Sequence, residues 1–166
     1  MTPAGFVTRF PVPTAGACAS GITSGPDGNL WFTEHYRNKI GRMTPDGQVT
    51  EFRIGPVDQN FPNEIVTGPD GNLWATSNFG VLHKVTPMGV ITDIPASAYG
   101  PLTAGGGYLW TGSTTAISRV STTGTIQSFN LPDSDHTPLG IAFGSDGAVW
   151  FPEIYTNSID VNGYFQ

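Results

Sequence analysis

Cysteine is almost missing from this chain. Cys18 stands alone among 166 residues, so no intrachain disulfide can form and no cysteine pair can hold a metal. A nucleophilic role for Cys18 would need a histidine beside it, and the sequence places none there; a small, partly buried apolar residue is the plainer reading. Charge is scarce as well. Only 12% of residues are charged, and seven Lys and Arg stand against thirteen Asp and Glu, a formal net charge of −6. The densest basic group, Arg37, Lys39 and Arg42, is too thin to neutralise a run of phosphates, which excludes nucleic acid as a partner. No apolar run approaches the length of a bilayer crossing, so no membrane span is expected. Met1 to Phe10 has neither the basic start nor the apolar core of a signal peptide. As it stands the chain is placed in the cytoplasm, or outside the cell if a leader precedes it. Calcium loops, phosphate loops and nucleophile elbows are also missing.

What the chain has in excess is turns. It holds 22 glycines and 14 prolines, which interrupt any long helix, and its 11% aromatic content argues against disorder. The four tryptophans, Trp31, Trp74, Trp110 and Trp150, are spaced by 43, 36 and 40 residues. Each follows a turn. Gly25-Pro26-Asp27-Gly28-Asn29-Leu30-Trp31 recurs as Gly68-Pro69-Asp70-Gly71-Asn72-Leu73-Trp74 and as Gly144-Ser145-Asp146-Gly147-Ala148-Val149-Trp150, and it weakens to Gly105-Gly106-Gly107-Tyr108-Leu109-Trp110. Proline presets φ at the start of such a turn, and glycine supplies positive φ at its end. A second turn, Thr44-Pro45-Asp46-Gly47, recurs as Thr86-Pro87-Met88-Gly89, Ser121-Thr122-Thr123-Gly124 and Thr2-Pro3-Ala4-Gly5.

The segments between turns have strand length. Leu30-Trp31-Phe32 and Val149-Trp150-Phe151 are apolar on both faces, which requires a neighbouring sheet on each side. Val49-Thr50-Glu51-Phe52 and its counterparts Ile91-Thr92-Asp93-Ile94, Ile126-Gln127-Ser128-Phe129 and Val7-Thr8-Arg9-Phe10 have apolar ends and polar middles, as an outer strand does. Repetition at this period with sheets stacked face to face predicts an all-β fold, a β-propeller of about four four-stranded blades in a single domain over 1–166. The blades are expected at about 18–56, 61–95, 101–132 and 138–166, the last completed by 1–13. Two arrangements satisfy that pattern. The N-terminal strand completes the last blade and closes a small ring, which removes exposed edges. Alternatively the chain is an arc, half of a larger propeller that pairs with a second copy, and an open arc exposes two apolar blade faces that predict association.

The string from Gly21 to Glu34, with Asn38-Lys39-Ile40-Gly41-Arg42-Met43-Thr44-Pro45-Asp46-Gly47 and Val49-Thr50-Glu51-Phe52, resembles the repeat of the streptogramin B lyases, also called virginiamycin B lyases. The resemblance covers essentially the whole chain. It implies a seven-bladed propeller and a carbon–oxygen lyase that linearises cyclic depsipeptide antibiotics by elimination, with Mg²⁺ as cofactor and a histidine as base. In the family that histidine sits in a Pro-His-Gly-Ile-like motif at the start of a blade. Here the matching positions read Ser20, Asn63, Leu102 and Leu139, none of which accepts a proton near neutral pH.

Propellers place ligands at one end of the channel, on loops between strands. In this chain those loops carry Tyr36, Asn63, Glu64, Asn78, Tyr99 and Tyr155 as candidate contacts to a small-molecule or peptide ligand. His35 and His136 are candidate bases there, against the plainer reading of surface histidines. Glu34 and Glu153 sit at matching places just past the Trp strand; converging carboxylates suit a hard cation, and they equally suit solvated loop ends. His83 is expected to be structural. Three readings remain: a lyase, a non-catalytic binding propeller, and an assembly element.

Overall fold

The structure is a computed structural model that describes residues 5–55, 61–131, 137–153 and 159–162. It consists of four antiparallel sheets in chain order. The first holds β1 (Ala19–Ser24), β2 (Leu30–Glu34), β3 (Lys39–Met43) and β4 (Val49–Arg53). The second holds β5 (Pro62–Thr67), β6 (Leu73–Ser77), β7 (Val81–Val85) and β8 (Ile91–Pro95), and the third β9 (Leu102–Gly105), β10 (Tyr108–Gly112), β11 (Ala116–Val120) and β12 (Ile126–Asn130). The fourth has, among the described residues, three strands, β13 (Ala142–Phe143), β14 (Val149–Pro152) and β15 (Ile159–Asn162). Each sheet is a plain meander, the blade of a propeller. The inner strands β1, β5, β9 and β13 pack in succession, so the blades form an arc around a common axis. No helix among the described residues is long and apolar enough to cross a membrane.

The repeated turn fixes each tryptophan by a hydrogen bond as well as by burial. Asp27 accepts the indole N–H of Trp31 at 3.0 Å, and Asp70 accepts that of Trp74 at 3.0 Å. The same carboxylates hold the turn, accepting the backbone and side-chain N–H of Asn29 and Asn72. Burial opposes the charge on Asp70, yet bonds from Lys84, Trp74 and Asn72 pull its pKa down to about 2. The third repeat lacks the aspartate, and there the Gly105 carbonyl takes the Trp110 indole at 3.1 Å. A cation covers each of these rings: Arg42 over Trp31, Lys84 over Trp74 and Arg119 over Trp110. Arg42 and Lys84 also donate across to the next blade, to the carbonyls of Pro87 and Thr122.

The core lies between blades. Trp31, Ile40 and Ile54 of the first blade pack on Ile65, Leu73, Ala75 and Val85 of the second. Trp74 and Leu82 then pack on Leu109 and Val120, and Trp110 and Ile117 on Val149 and Phe151. One blade therefore offers its tryptophan to the next and its aliphatic face to the one before. Phe52 of β4 lies on Gly89 in the second turn of the following blade. A Cβ there would stand 2.0 Å from the ring, and φ at Gly89 is +85°. His83 is fully buried and bonds Asp93 at 2.7 Å, a structural role.

The N-terminal segment departs from the expectation. Val7 to Phe10 form no strand and join no sheet among the described residues, and β15 is the outer strand of its sheet. Phe10 instead lies over Gly47, as Phe52 lies over Gly89. The segment thus follows the outer lane of a blade in front of β1–β4, on the far side of the arc from the sheet it was expected to complete.

Candidate functional site

At one end of the arc, the loops after each Trp strand meet the segments that open the next blade. The first such loop is a single 3-10 turn, His35–Arg37, ended by Asn38 in the left-handed conformation at φ 57°. Asn38 is held there by its own amide, which donates to the Ile54 carbonyl at 2.7 Å. The turn is docked on the segment before β1, because the N–H groups of His35 and Tyr36 donate to the carbonyls of Cys18 and Ala17. These bonds aim His35 at the second blade. Its Nδ1 lies 3.1 Å from the Pro62 carbonyl, which only accepts, so Nδ1 carries the proton and Nε2 keeps its lone pair in the neutral ring.

Around His35 the aromatic rings form a continuous ledge. The His35 ring meets Tyr36 at 4.9 Å edge-on and Phe61 at 5.3 Å; Phe61 in turn stacks on Phe79 at 6.3 Å. Tyr36 and Phe79 are 59% and 57% exposed, so the ledge faces outward and is not core. Phe61 holds φ at +46°, an unusual conformation for a bulky residue and one that stores strain. Its carbonyl accepts the Asn78 N–H, which keeps the two loops together. Beside the ledge the Asn63 amide donates to the Asn78 side-chain oxygen. Thr33 locks this end of the blades: it accepts from the Gly21 N–H and donates to the Asn63 carbonyl. Further round, Tyr99 packs on Gly80 and lines a cleft of about 270 Å³ with Gly100, Gly112, Ser113, Thr137 and Pro138.

Of the residues singled out from sequence, His35, Tyr36, Asn63 and Asn78 come together here, and Tyr99 borders the adjoining cleft. Glu64 is exposed on β5. His136 and Tyr155 lie outside the described residues. Phe61 and Phe79 belong to the ledge and escaped the sequence reading. Their signal was an aromatic residue set directly beside turn formers, in Phe61-Pro62 and Asn78-Phe79-Gly80.

The two glutamates are both buried. Glu34 is fully buried, and no donor among the described residues reaches either of its oxygens. Burial, then the negative charge of Glu51, raise its pKa to about 7, against the pull of Lys39. Glu51 is already engaged by Lys39 and Thr14. A protonated acid beside an ammonium group is a poor ligand for Mg²⁺. Glu153 is 7% exposed and sits in a bridge with Pro138. No three His, Cys, Asp or Glu side chains converge among the described residues. At the positions of the family's histidine motif, Ser20 is exposed on β1, Asn63 bonds Asn78, Leu102 is buried and Leu139 is exposed.

Fold and loop geometry together define a Trp-repeat β-propeller with an exposed aromatic ledge at its loop end. The sequence model of the Virginiamycin B lyase family matches residues 1–114, and the chain belongs to that family. It is 30% identical to a virginiamycin B lyase of Nocardia farcinica over 84% of this chain and 64% of that protein. A 52-residue stretch is 44% identical to the virginiamycin B lyase of Bordetella pertussis. Among solved structures, a virginiamycin B lyase from Staphylococcus aureus superimposes with a TM-score of 0.87 at 30% identity, covering 99% of this chain and 61% of that one. A catalytically inactive variant of the S. aureus enzyme, crystallised with quinupristin, gives a TM-score of 0.88 at 29% identity, covering 96% of this chain and 60% of that one. The chain thus spans about three fifths of the length of these solved lyases.

Proposed function

We propose that the loop end of this propeller binds a cyclic depsipeptide of the streptogramin B kind. The observation that carries the reading is the exposed ledge of Tyr36, His35, Phe61 and Phe79, whose ring faces and edges suit a ligand that is itself apolar and ring-bearing. The amides of Asn63 and Asn78 beside it supply the few polar contacts that orient such a ligand. Support comes also from the S. aureus lyase, a relative crystallised with quinupristin. Titration calorimetry with a cyclic streptogramin B tests it. Tyr36→Ala and Phe79→Ala, both exposed and outside the core, should each weaken binding about tenfold or more. Binding unchanged by both substitutions would remove the ledge from the site.

Turnover is a second reading, favoured by one feature, the free Nε2 of His35. Such a base would take the proton on the carbon next to the ester-bearing carbon. The electron pair then forms a C=C bond, the C–O bond breaks, and the carboxylate leaves. A linear product with a new double bond, lost in His35→Gln while binding is retained, is the expected signature. An intact ring after long incubation leaves binding alone.

A further inference from the structure

The segment that leads into β1 is strapped to the first blade, and the strap carries one end of the aromatic ledge. Thr14 donates to Glu51 twice, from its N–H at 3.0 Å and from its hydroxyl at 2.7 Å. Lys39 closes this clamp, its Nζ lying 2.6 Å from the Thr14 hydroxyl and 2.6 Å from the Glu51 carboxylate. Arg37 donates to the Ala15 carbonyl at 2.9 Å, and its guanidinium lies so close over Gly16 that a Cβ there would stand 2.9 Å from it. The carbonyls of Ala17 and Cys18 then accept the N–H groups of Tyr36 and His35, each at 3.1 Å. The His35–Arg37 turn is thus positioned through the strap, and the strap is held by Glu51, Lys39 and Arg37.

Glu34 sits where clamp and turn meet. It directly precedes His35 and pairs with Lys39 across the strand, and alternation puts Glu51 on the same face. It is 0% exposed, and among the described residues neither of its oxygens has a hydrogen-bond partner. Few charged groups surround it. β3 brings Lys39 and β4 brings Glu51; Arg53, paired with Lys39, is exposed. β1 opposes Glu34 with Ala19, and the strap adds the Thr14 hydroxyl, neither of them charged. β5, which packs on β2 from the next blade, carries one charged residue, Glu64, and it is exposed. A protonated Glu34 is therefore compatible with an intact clamp. A negative charge there is not. It would face Glu51 away from water, and the one cation acting on it among the described residues is Lys39, whose ammonium is engaged by Thr14 and Glu51.

We propose that Glu34 is a proton-controlled latch for the loop end of the propeller. Protonated, it leaves the strap clamped and the His35–Arg37 turn docked. Ionised, it draws Lys39 from Thr14 and repels Glu51, so strap and turn loosen together and the Tyr36–His35 end of the ledge is lost. The direction follows from linkage. Burial, and then Glu51, raise the pKa of Glu34 from 4.5 to about 7, so the hold is complete below its ordinary value and is lost as pH rises through the folded one. Glu51 acts with the opposite sign. Burial pushes its pKa up, but bonds from Lys39 and Thr14 pull it lower still, so its own share of the clamp is lost only in acid, below that range. The latch is independent of what the ledge binds.

Amide hydrogen exchange on the full chain, corrected for the intrinsic effect of pH, tests it. Between about pH 5 and 7.5, protection of the His35 and Tyr36 amides should fall about tenfold or more relative to the amides of β5–β8. Glu34→Gln should keep that ratio constant with pH, and Thr14→Ala should lower it at every pH. Glu51→Gln should shrink the fall, because one of the two causes that keep Glu34 protonated is gone; this variant decides the matter even where Glu34→Gln does not fold. A ratio in the wild type that stays flat, a fall that persists in Glu34→Gln or is unchanged by Glu51→Gln, or a turn unaffected by Thr14→Ala would each overturn the proposal.

Discussion

Glu34 shows how one residue can look like a ligand in sequence and behave otherwise in the fold. Its place just past the Trp strand puts it near the mouth, but strand alternation turns it to the same face as Phe32, toward Glu51 and Lys39. There its pKa rises from 4.5 to about 7 because burial disfavours the charge. An acid whose folded pKa is raised contributes stability that is fully present below its unfolded pKa. That stability is lost as pH rises through the folded value. The melting temperature is therefore expected to fall between about pH 4.5 and 7, and Glu34→Gln should flatten that slope while leaving the fold intact. Thermal melts across this range check it. An unchanged slope in the variant would show that Glu34 ionises freely. The aromatic ledge is the opposite case. Tyr36 was legible as a loop aromatic, but the place of Phe61 and Phe79 beside it emerges only when the loops of two blades are brought together.

At the scale of elements, the recurring device is the outer strand of one blade resting on the glycine turn of the next. The turn motif announced its glycine as a positive-φ position, and that much was local. That Phe52 covers Gly89 was not local, since it depends on how consecutive blades stack. The two effects separate by substitution. Gly28 has φ +77° and open space around a new Cβ, so Gly28→Ala should cost only the backbone strain, about 1–2 kcal/mol. Gly89→Ala adds displacement of the Phe52 ring, and should cost roughly 2–4 kcal/mol. Urea unfolding of both variants measures the difference; equal losses would mean that the ring moves aside freely. The third repeat shows the same economy of parts: without an aspartate, its Trp110 is still held, by a carbonyl of the tighter turn.

For the whole molecule, stability is uneven along the arc. The second blade is covered on both faces, whereas the fourth has, among the described residues, three strands, one of them only two residues long, and an exposed tryptophan. Its backbone should open first. Amide exchange in β13–β15 is expected to be much faster than in β5–β8. Uniform protection of the two sheets would contradict this. The repeat, the four blades and the family were all readable from 166 residues. The place of Val7 to Phe10 in front of the first blade was not, because by pattern the segment fits the outer lane of either end blade equally well.

Local order came from the sequence alone: the Asp-Gly turns, the Trp strands and their period are set by backbone preferences and alternation, which act over a few residues. Tertiary structure alone decided which side chains share a surface, since Phe61 meets His35 only after two blades have stacked, and Glu34 comes near Glu51 only once β2, β3 and β4 have paired in one sheet. A period of about forty residues fixes that blades repeat. It carries no information about what covers the first and the last.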